Sequence, residues 1–233
     1  MPENQPLQHL GASHLGAMFV ILSGCVLLLR TASRTPEFHK QVARWLAAAL
    51  LLMHPAEILI SSLWGKLDRD NVLPLHLCDI VALLAAAALL TRKPLLIELA
   101  YFWGLGGTLQ GVLTPTLPLD FPHAAYFRYF ALHGLVVMAA IYLTFGLGHC
   151  PRPGSVWRVL LWSNAYLLVA GGVNALLGSN YGYTCRKPDQ ASLLDLMGSW
   201  PWYLATLEGL ALGLFFLLDL PFRRQRRQMR EET

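Results

Sequence analysis

The sequence predicts an all-α, polytopic membrane protein: a bundle of seven transmembrane helices with the N-terminus outside and the C-terminus in the cytoplasm. Three observations carry that expectation. The chain of 233 residues is 55% hydrophobic and only 14% charged. A soluble domain carries about 25% charged residues, and so few charges cannot coat a water-facing globule of this size. The charges are also clustered and leave long uncharged runs, and a transmembrane helix needs ~20 mainly apolar residues to cross ~30 Å of hydrocarbon. Finally, the basic residues gather in alternate connections, the asymmetry that orients membrane proteins with their positive loops inside.

The runs are 12–30, 44–64, 74–91, 94–114, 126–146, 156–177 and 201–220. Their connections are mostly short, so residues 1–233 read as one integral membrane domain. The first run is followed by Arg30, Arg34, Lys40 and Arg44, and no Lys or Arg precedes it. It therefore lacks the positive segment of a cleaved signal peptide. The second carries His54 and Glu57. The third opens on "LPLHLCDI" (73–80) and ends at Arg92 and Lys93. The fourth carries Glu98, which the sequence pairs with Arg92 or Lys93, then Gln110, Thr114 and the small-residue pair Gly107 and Gly111. The fifth begins near Arg128, carries His133 and leads to Arg152 and Arg158. The sixth carries Asn164 and Asn174. A long connection, 178–200, precedes the seventh, which ends in "RRQRRQMR". That basic tail and the net charge of +4 are topology signals and call for no nucleic acid. The chain is expected to be integral to a membrane.

Intramembrane ionisable residues are rare and face a bundle interior or a wet cavity. With ~1.5 Å of rise per residue, His54, Glu57, Cys78, His133, Gln110, Asn174 and Glu208 fall in one layer of the outer half. His54 and Glu57 share a helix face, as do His76 and Asp79. Taken singly, His54, Asn164 and Asn174 read as polar glue between helices, and Cys78 as a buried thiol. Cys78 beside His76 and Asp79, with His133 at similar depth, reads as chemistry. A thiol attacks as its thiolate, and a histidine within reach takes the proton. A carboxylate holds that histidine in its tautomer. His133 is the base because it comes from another helix. His76, two residues from Cys78, points elsewhere on a regular helix and stays in reserve. Asp79, Glu57 and His54 would support the pair. Gln110, Asn174 and Asn180 are candidate donors, and Arg128 and Arg186 candidate headgroup contacts. Loop 178–200 reads either as a solvated cap or as a lid whose Arg186 and Lys187 meet a phosphate or carboxylate, with "SLLDLMGSW" as a short interfacial helix. The four cysteines make no disulfide framework, and no Cys or His spacing fits a metal or cofactor site.

The segments "LPLHLCDI", "YFWGLGGTLQGVLTP", "DFPHAAYFRYFALHGLVV" and "GSNYGYTCRKPDQASLLDLMGSWPWYL" resemble the bacterial YwaF-like integral membrane family. Through it the chain resembles a eukaryotic transmembrane acyltransferase that places acyl chains on ether lysophospholipids. More distantly it is similar to the androgen-induced hydrolases of fatty-acid esters. The resemblance implies a lipid substrate, either a phospholipid or a fatty-acyl ester. It places the nucleophile on Cys78 within "LHLC" and the histidine on His133 within "LHG". Acyl transfer and ester hydrolysis through an acyl-thioester both fit. A transporter or small-ligand-binding protein using the same polar layer is the rival. The absence of visible inverted repeats, and the thinning of polar groups toward the cytoplasm, count against it. A structural subunit of a larger assembly is a third reading, and the oligomeric state is left open.

Overall fold

A computed structural model describes residues 7–190 and 192–231, with side chains to residue 223. The side chains of Arg224, Arg226, Arg227 and Arg230, and the terminal Thr233, lie outside the described residues. The described chain is helical and contains no strand. The helices are α1 (Ala12–Arg30), α2 (Pro36–Leu63), α3 (Leu77–Thr91), α4 (Pro94–Trp103), α5 (Leu109–Leu113), α6 (Ala124–Ile141), α7 (Ser155–Leu177) and α8 (Trp202–Glu231). A π-helical turn, Gly104–Thr108, joins α4 to α5, and a second, Tyr142–Gly146, extends α6. Short 3₁₀ turns at Tyr181–Tyr183 and Leu193–Met197 lie in the connection to α8.

Among the described residues, five helical stretches are long and apolar enough to cross a membrane: Ala12–Arg30, Pro36–Leu63, Ala124–Gly146, Ser155–Leu177 and Trp202–Arg223. The chain is an integral membrane protein. The third expected run is a shorter apolar helix of 15 residues, and the fourth is the helical stretch 94–113, broken by its π turn.

Two expected boundaries move for local reasons. α2 begins at Pro36, not near residue 44. The Thr35 hydroxyl accepts from the Phe38 N–H at 3.4 Å, and Pro36 occupies the first turn, where its missing N–H costs nothing. α8 runs beyond residue 220 through Pro221 to Glu231, because a helix leaving the apolar layer can continue in polar sequence.

The central helices are α3, α4 and α6. Val81, Ala85, Ala88, Ala100, Val136 and Ala139 are fully enclosed, and the alanines of α3 let its neighbours approach closely. On the outer helices large apolar side chains face outward: Phe19 on α1, Leu52 and Leu59 on α2, Leu168 and Leu176 on α7, Leu217 on α8. In water such a surface would be a liability; against hydrocarbon it is the ordinary lipid face.

The two ends of the bundle are tied differently. At one end the buried Glu98 carboxylate binds Arg152 at 2.9 Å and Arg158 at 2.7 Å. Its partners are thus the arginines across the bundle, not Arg92 or Lys93. The Tyr142 hydroxyl meets His39 Nδ1 at 2.8 Å, and Tyr101 donates to the Leu218 carbonyl at 3.1 Å. At the other end, connection 64–76 is knitted to connection 178–200. Asp70 accepts from the Asn180 N–H at 2.7 Å and from Arg186 at 2.9 Å. The Tyr181 hydroxyl accepts from the Leu73 N–H at 3.0 Å, Tyr166 donates to the Leu75 carbonyl at 3.1 Å, and Trp200 to the Thr184 carbonyl at 3.1 Å. All four cysteines are free thiols.

Candidate functional site

The α3 start positions Cys78. His76 is the residue before the helix, with extended φ −65° and ψ 146°, so residues 74–76 are not helical and Cys78 stands in the first turn, nearer the mouth than the sequence placed it. His76 turns away. Its Nε2 meets the Asp70 carbonyl at 2.9 Å, and its ring packs against Tyr181 and Tyr183 at 5.3 and 5.5 Å. Cys78 is half-buried and faces the Thr108 hydroxyl. Thr108 is fully buried, and its oxygen closes no hydrogen bond in standard geometry, so the two groups lie side by side without a made bond.

The π turn and α5 carry residues that meet both Cys78 and His133. A side chain built at Gly107 would press on Leu77, at 3.1 Å. One built at Gly111 would overlap the Cδ2 and Nε2 edge of the His133 ring. Thr108 and Gly111 are three residues apart and share a helix face. The thiol thus meets Thr108 and the imidazole meets Gly111, three residues further along the same segment. Gln110 lies between them in sequence; its side-chain amide makes no hydrogen bond among the described residues, while its carbonyl accepts from the Thr114 N–H at 2.8 Å.

His133 is 7% exposed. Its Nδ1 meets the Tyr129 carbonyl at 2.8 Å, and its ring stacks on Tyr129 at 4.1 Å. A carbonyl only accepts, so in the neutral ring Nδ1 carries the hydrogen and Nε2 the lone pair. The atom pressed toward Gly111 is thus the basic one.

Charge is supplied from α2, α3 and α6. Glu57 and Arg128 form an ion pair, and Ser61 donates to the other Glu57 oxygen at 2.6 Å. Arg128 lies within electrostatic reach of Cys78, Asp79 and His133; Asp79 is within reach of His76, His54 and Glu57 as well. His54 reaches out to the Val72 carbonyl at 3.2 Å, and its Nδ1 is buried without a partner.

The other expected donors belong to the cap. Asn174 Nδ2 donates to the Tyr181 carbonyl at 2.9 Å and to Thr184 Oγ1 at 2.7 Å, and its Oδ1 accepts from Ser179 and from the Tyr181 N–H, both at 2.8 Å. Both donors and both acceptor positions of the amide are occupied. Asn180 Nδ2 donates to the Arg186 carbonyl at 2.9 Å, and its Oδ1 accepts from the Cys185 and Arg186 N–H groups. Arg186 pairs with Asp70 and Lys187 with Asp195. Asn164 is not alone: it donates to Glu208 at 2.7 Å.

Sequence reasoning missed the tyrosines. Tyr129, Tyr166 and Tyr183 all lie within electrostatic reach of Cys78. Tyr129 is bonded to Thr116, and Tyr166 to the Leu75 carbonyl. Tyr183 has a left-handed backbone, φ 54°, and its carbonyl accepts from Tyr203. A non-glycine residue in that region is uncommon. The left-handed Gly182 before it leaves room for the Tyr166 hydroxyl, which a side chain there would strike. Burial pushes the Tyr183 phenol above its ordinary pKa, so its hydroxyl keeps its proton and remains a donor.

No solved structure matches the chain. A protein of Treponema pallidum (strain Nichols), described as an uncharacterized protein, is 28% identical over 231 residues, covering 91% of this chain and 89% of that protein. The profile of the TMEM164 family matches residues 8–219, a span that includes the α3 start, the π turn, His133 and the cap. The chain belongs to the TMEM164 family.

Proposed function

We propose that this protein is a membrane-embedded lipid acyltransferase or acyl-ester hydrolase in which Cys78 is the nucleophile and His133 the base. The observation that carries the reading is the shared face of the Thr108–Gly111 turn, with the Cys78 thiol beside Thr108 and the basic edge of His133 against Gly111. His133 Nε2 takes the thiol proton, and the sulfur adds to the ester carbonyl. The tetrahedral intermediate collapses to an acyl-thioester, and the departing alkoxide takes the proton back from His133. Water or a lysolipid hydroxyl, deprotonated by His133, then attacks the thioester and frees Cys78. Arg128, fixed by Glu57, places a positive charge near the thiolate, and the Tyr183 and Gln110 donors are positioned to meet the oxyanion. Asp79 and His54 tune that field. Asn174, Asn180 and Arg186 hold the cap over the site.

The proposed topology has seven spans, with α3 and the 94–113 stretch completing the set. The cap lies outside and the Glu98 cluster at the cytoplasmic face of a bacterial plasma membrane. Arg30, Arg34, Lys93 and Arg152 then lie inside, as positive loops do. The resemblance of "LHLC" and "LHG" to acyl-transferring relatives supports the same assignment.

The test is turnover of labelled phospholipid in proteoliposomes. Cys78→Ser changes one atom and is expected to abolish turnover, because a hydroxyl is harder to deprotonate than a thiol. His133→Ala is expected to lose about 10²–10⁴-fold, the usual value of a general base. Full activity of Cys78→Ser on an identified lipid substrate would remove Cys78 from the role.

A further inference from the structure

A cavity of about 150 Å³ is lined by Leu77, the residue before Cys78, and not by Cys78 itself. Its walls come from the π turn with Trp103 before it, from α7 and α8, and from Gly182 of the cap. On α8 the lining runs from Leu204 through Ala211 to Phe215, which spans ~16 Å of helix at ~1.5 Å per residue. On α7 it runs from Leu160 to Leu167. The space is thus drawn out along the two helices.

The polar side chains in the wall are bonded to the protein itself. Asn164 donates to Glu208 and to the Leu160 carbonyl. Trp103 donates to Ser163 at 2.8 Å, and Ser163 to the Val159 carbonyl at 2.9 Å. Tyr166 donates to Leu75. What remains facing the space is mainly apolar, which suits hydrocarbon and not a polar solute. The space is kept open by missing side chains. A Cβ at Gly106 would stand 3.1 Å from the Phe215 ring, and one at Gly107 3.1 Å from Leu77. π-helical turns recur at functional sites; here the turn shows Gly106 and Gly107 to the cavity while its next residue, Thr108, meets Cys78.

We infer that this cavity holds a single hydrocarbon chain of the lipid substrate, with the chain's carbonyl end at Cys78 and its tail running between α7 and α8 toward Phe215. The assignment rests on the acyl-transfer reading of Cys78 and adds where the chain lies and what limits its width. The outward faces of α7 and α8 carry the exposed Leu161 and Leu210, which do not line the cavity. Ala211 and Leu207 set the bore.

The experiment uses the full chain in lipid nanodiscs, loaded with a phospholipid whose acyl chain bears a mid-chain diazirine, and maps photoadducts to residues by mass spectrometry. Adducts are expected on cavity-lining residues such as Leu167, Leu207 and Ala211, in wild type and in Cys78→Ser alike. Ala211→Phe and Leu207→Phe each fill the bore. Either is expected to cut these adducts about tenfold, because the added ring takes up the space the chain would occupy. Leu210→Phe, on the outward face, leaves them unchanged. Undiminished adducts in both bore-filling variants, or adducts confined to outward residues such as Leu161 and Leu168, overturn the assignment. Adducts in the cavity without any thioester at Cys78 would uphold the chain site and remove the enzymatic reading. A Cys78 thioester without cavity adducts would do the reverse.

Discussion

Asn174 and Gly111 show how differently two residues can support the same site. Asn174 is 2% exposed, and its amide fastens the end of α7 to Tyr181, Ser179 and Thr184. Leaving buried partners unsatisfied costs ~1–3 kcal/mol. Asn174→Ala is therefore expected to destabilise the protein by about 2–3 kcal/mol in a detergent unfolding titration, with activity falling only as the folded fraction falls. Unchanged stability would mean that the amide is dispensable to the cap. Gly111 has the opposite profile. A methyl there collides with the His133 ring, and moving the ring removes the base. Gly111→Ala should cost turnover about 10²–10⁴-fold while thermal unfolding shifts little. Equal losses of activity and stability would show that Gly111 serves packing alone.

At the scale of elements, the apolar runs were plainly written in the sequence, and their ends less so. α1 falls on residues 12–30 as expected because arginine and polar residues bracket it. The α2 start was hidden because Lys40 and Arg44 look like loop, whereas the Thr35–Pro36 cap and first turn read as helix only once capping is weighed. Depth reasoning grouped Glu57, Cys78 and His133 from spacing alone. It could not separate them from Asn174, because hydrogen-bond saturation by the adjoining loop leaves no periodic trace. Nor could it find Thr108 and Tyr183. Threonine in an apolar helix and tyrosine in a loop are ordinary, and only the π turn and a left-handed backbone bring them to the thiol. The cap is held by such backbone choices. Gly182, at φ 63°, faces the Tyr166 hydroxyl. Gly182→Ala is expected to lose about 1–2 kcal/mol from the left-handed conformation alone, and to speed amide exchange across 178–190. Exchange rates equal to wild type would mean that the cap is not organised through this turn.

For the whole molecule, the two ends of the bundle differ in chemistry as the proposed orientation requires: the Glu98–Arg152–Arg158 cluster at one, the Asp70–Asn180–Arg186 cap and the thiol at the other. A reporter fused after Thr233 should read cytoplasm, and a tag before His9 should be reached by an impermeant probe from outside. Both ends on one side would break the seven-span arrangement. The account stands or falls on the covalent intermediate near the capped end. Purified wild-type protein in liposomes, offered phospholipid with a labelled acyl chain and trapped with acid, should carry the label on the peptide containing Cys78. Neutral hydroxylamine should release it, and the label should be absent from Cys78→Ser. Turnover of that lipid with no hydroxylamine-labile label on Cys78, or with the label unchanged in Cys78→Ser, would contradict the central claim.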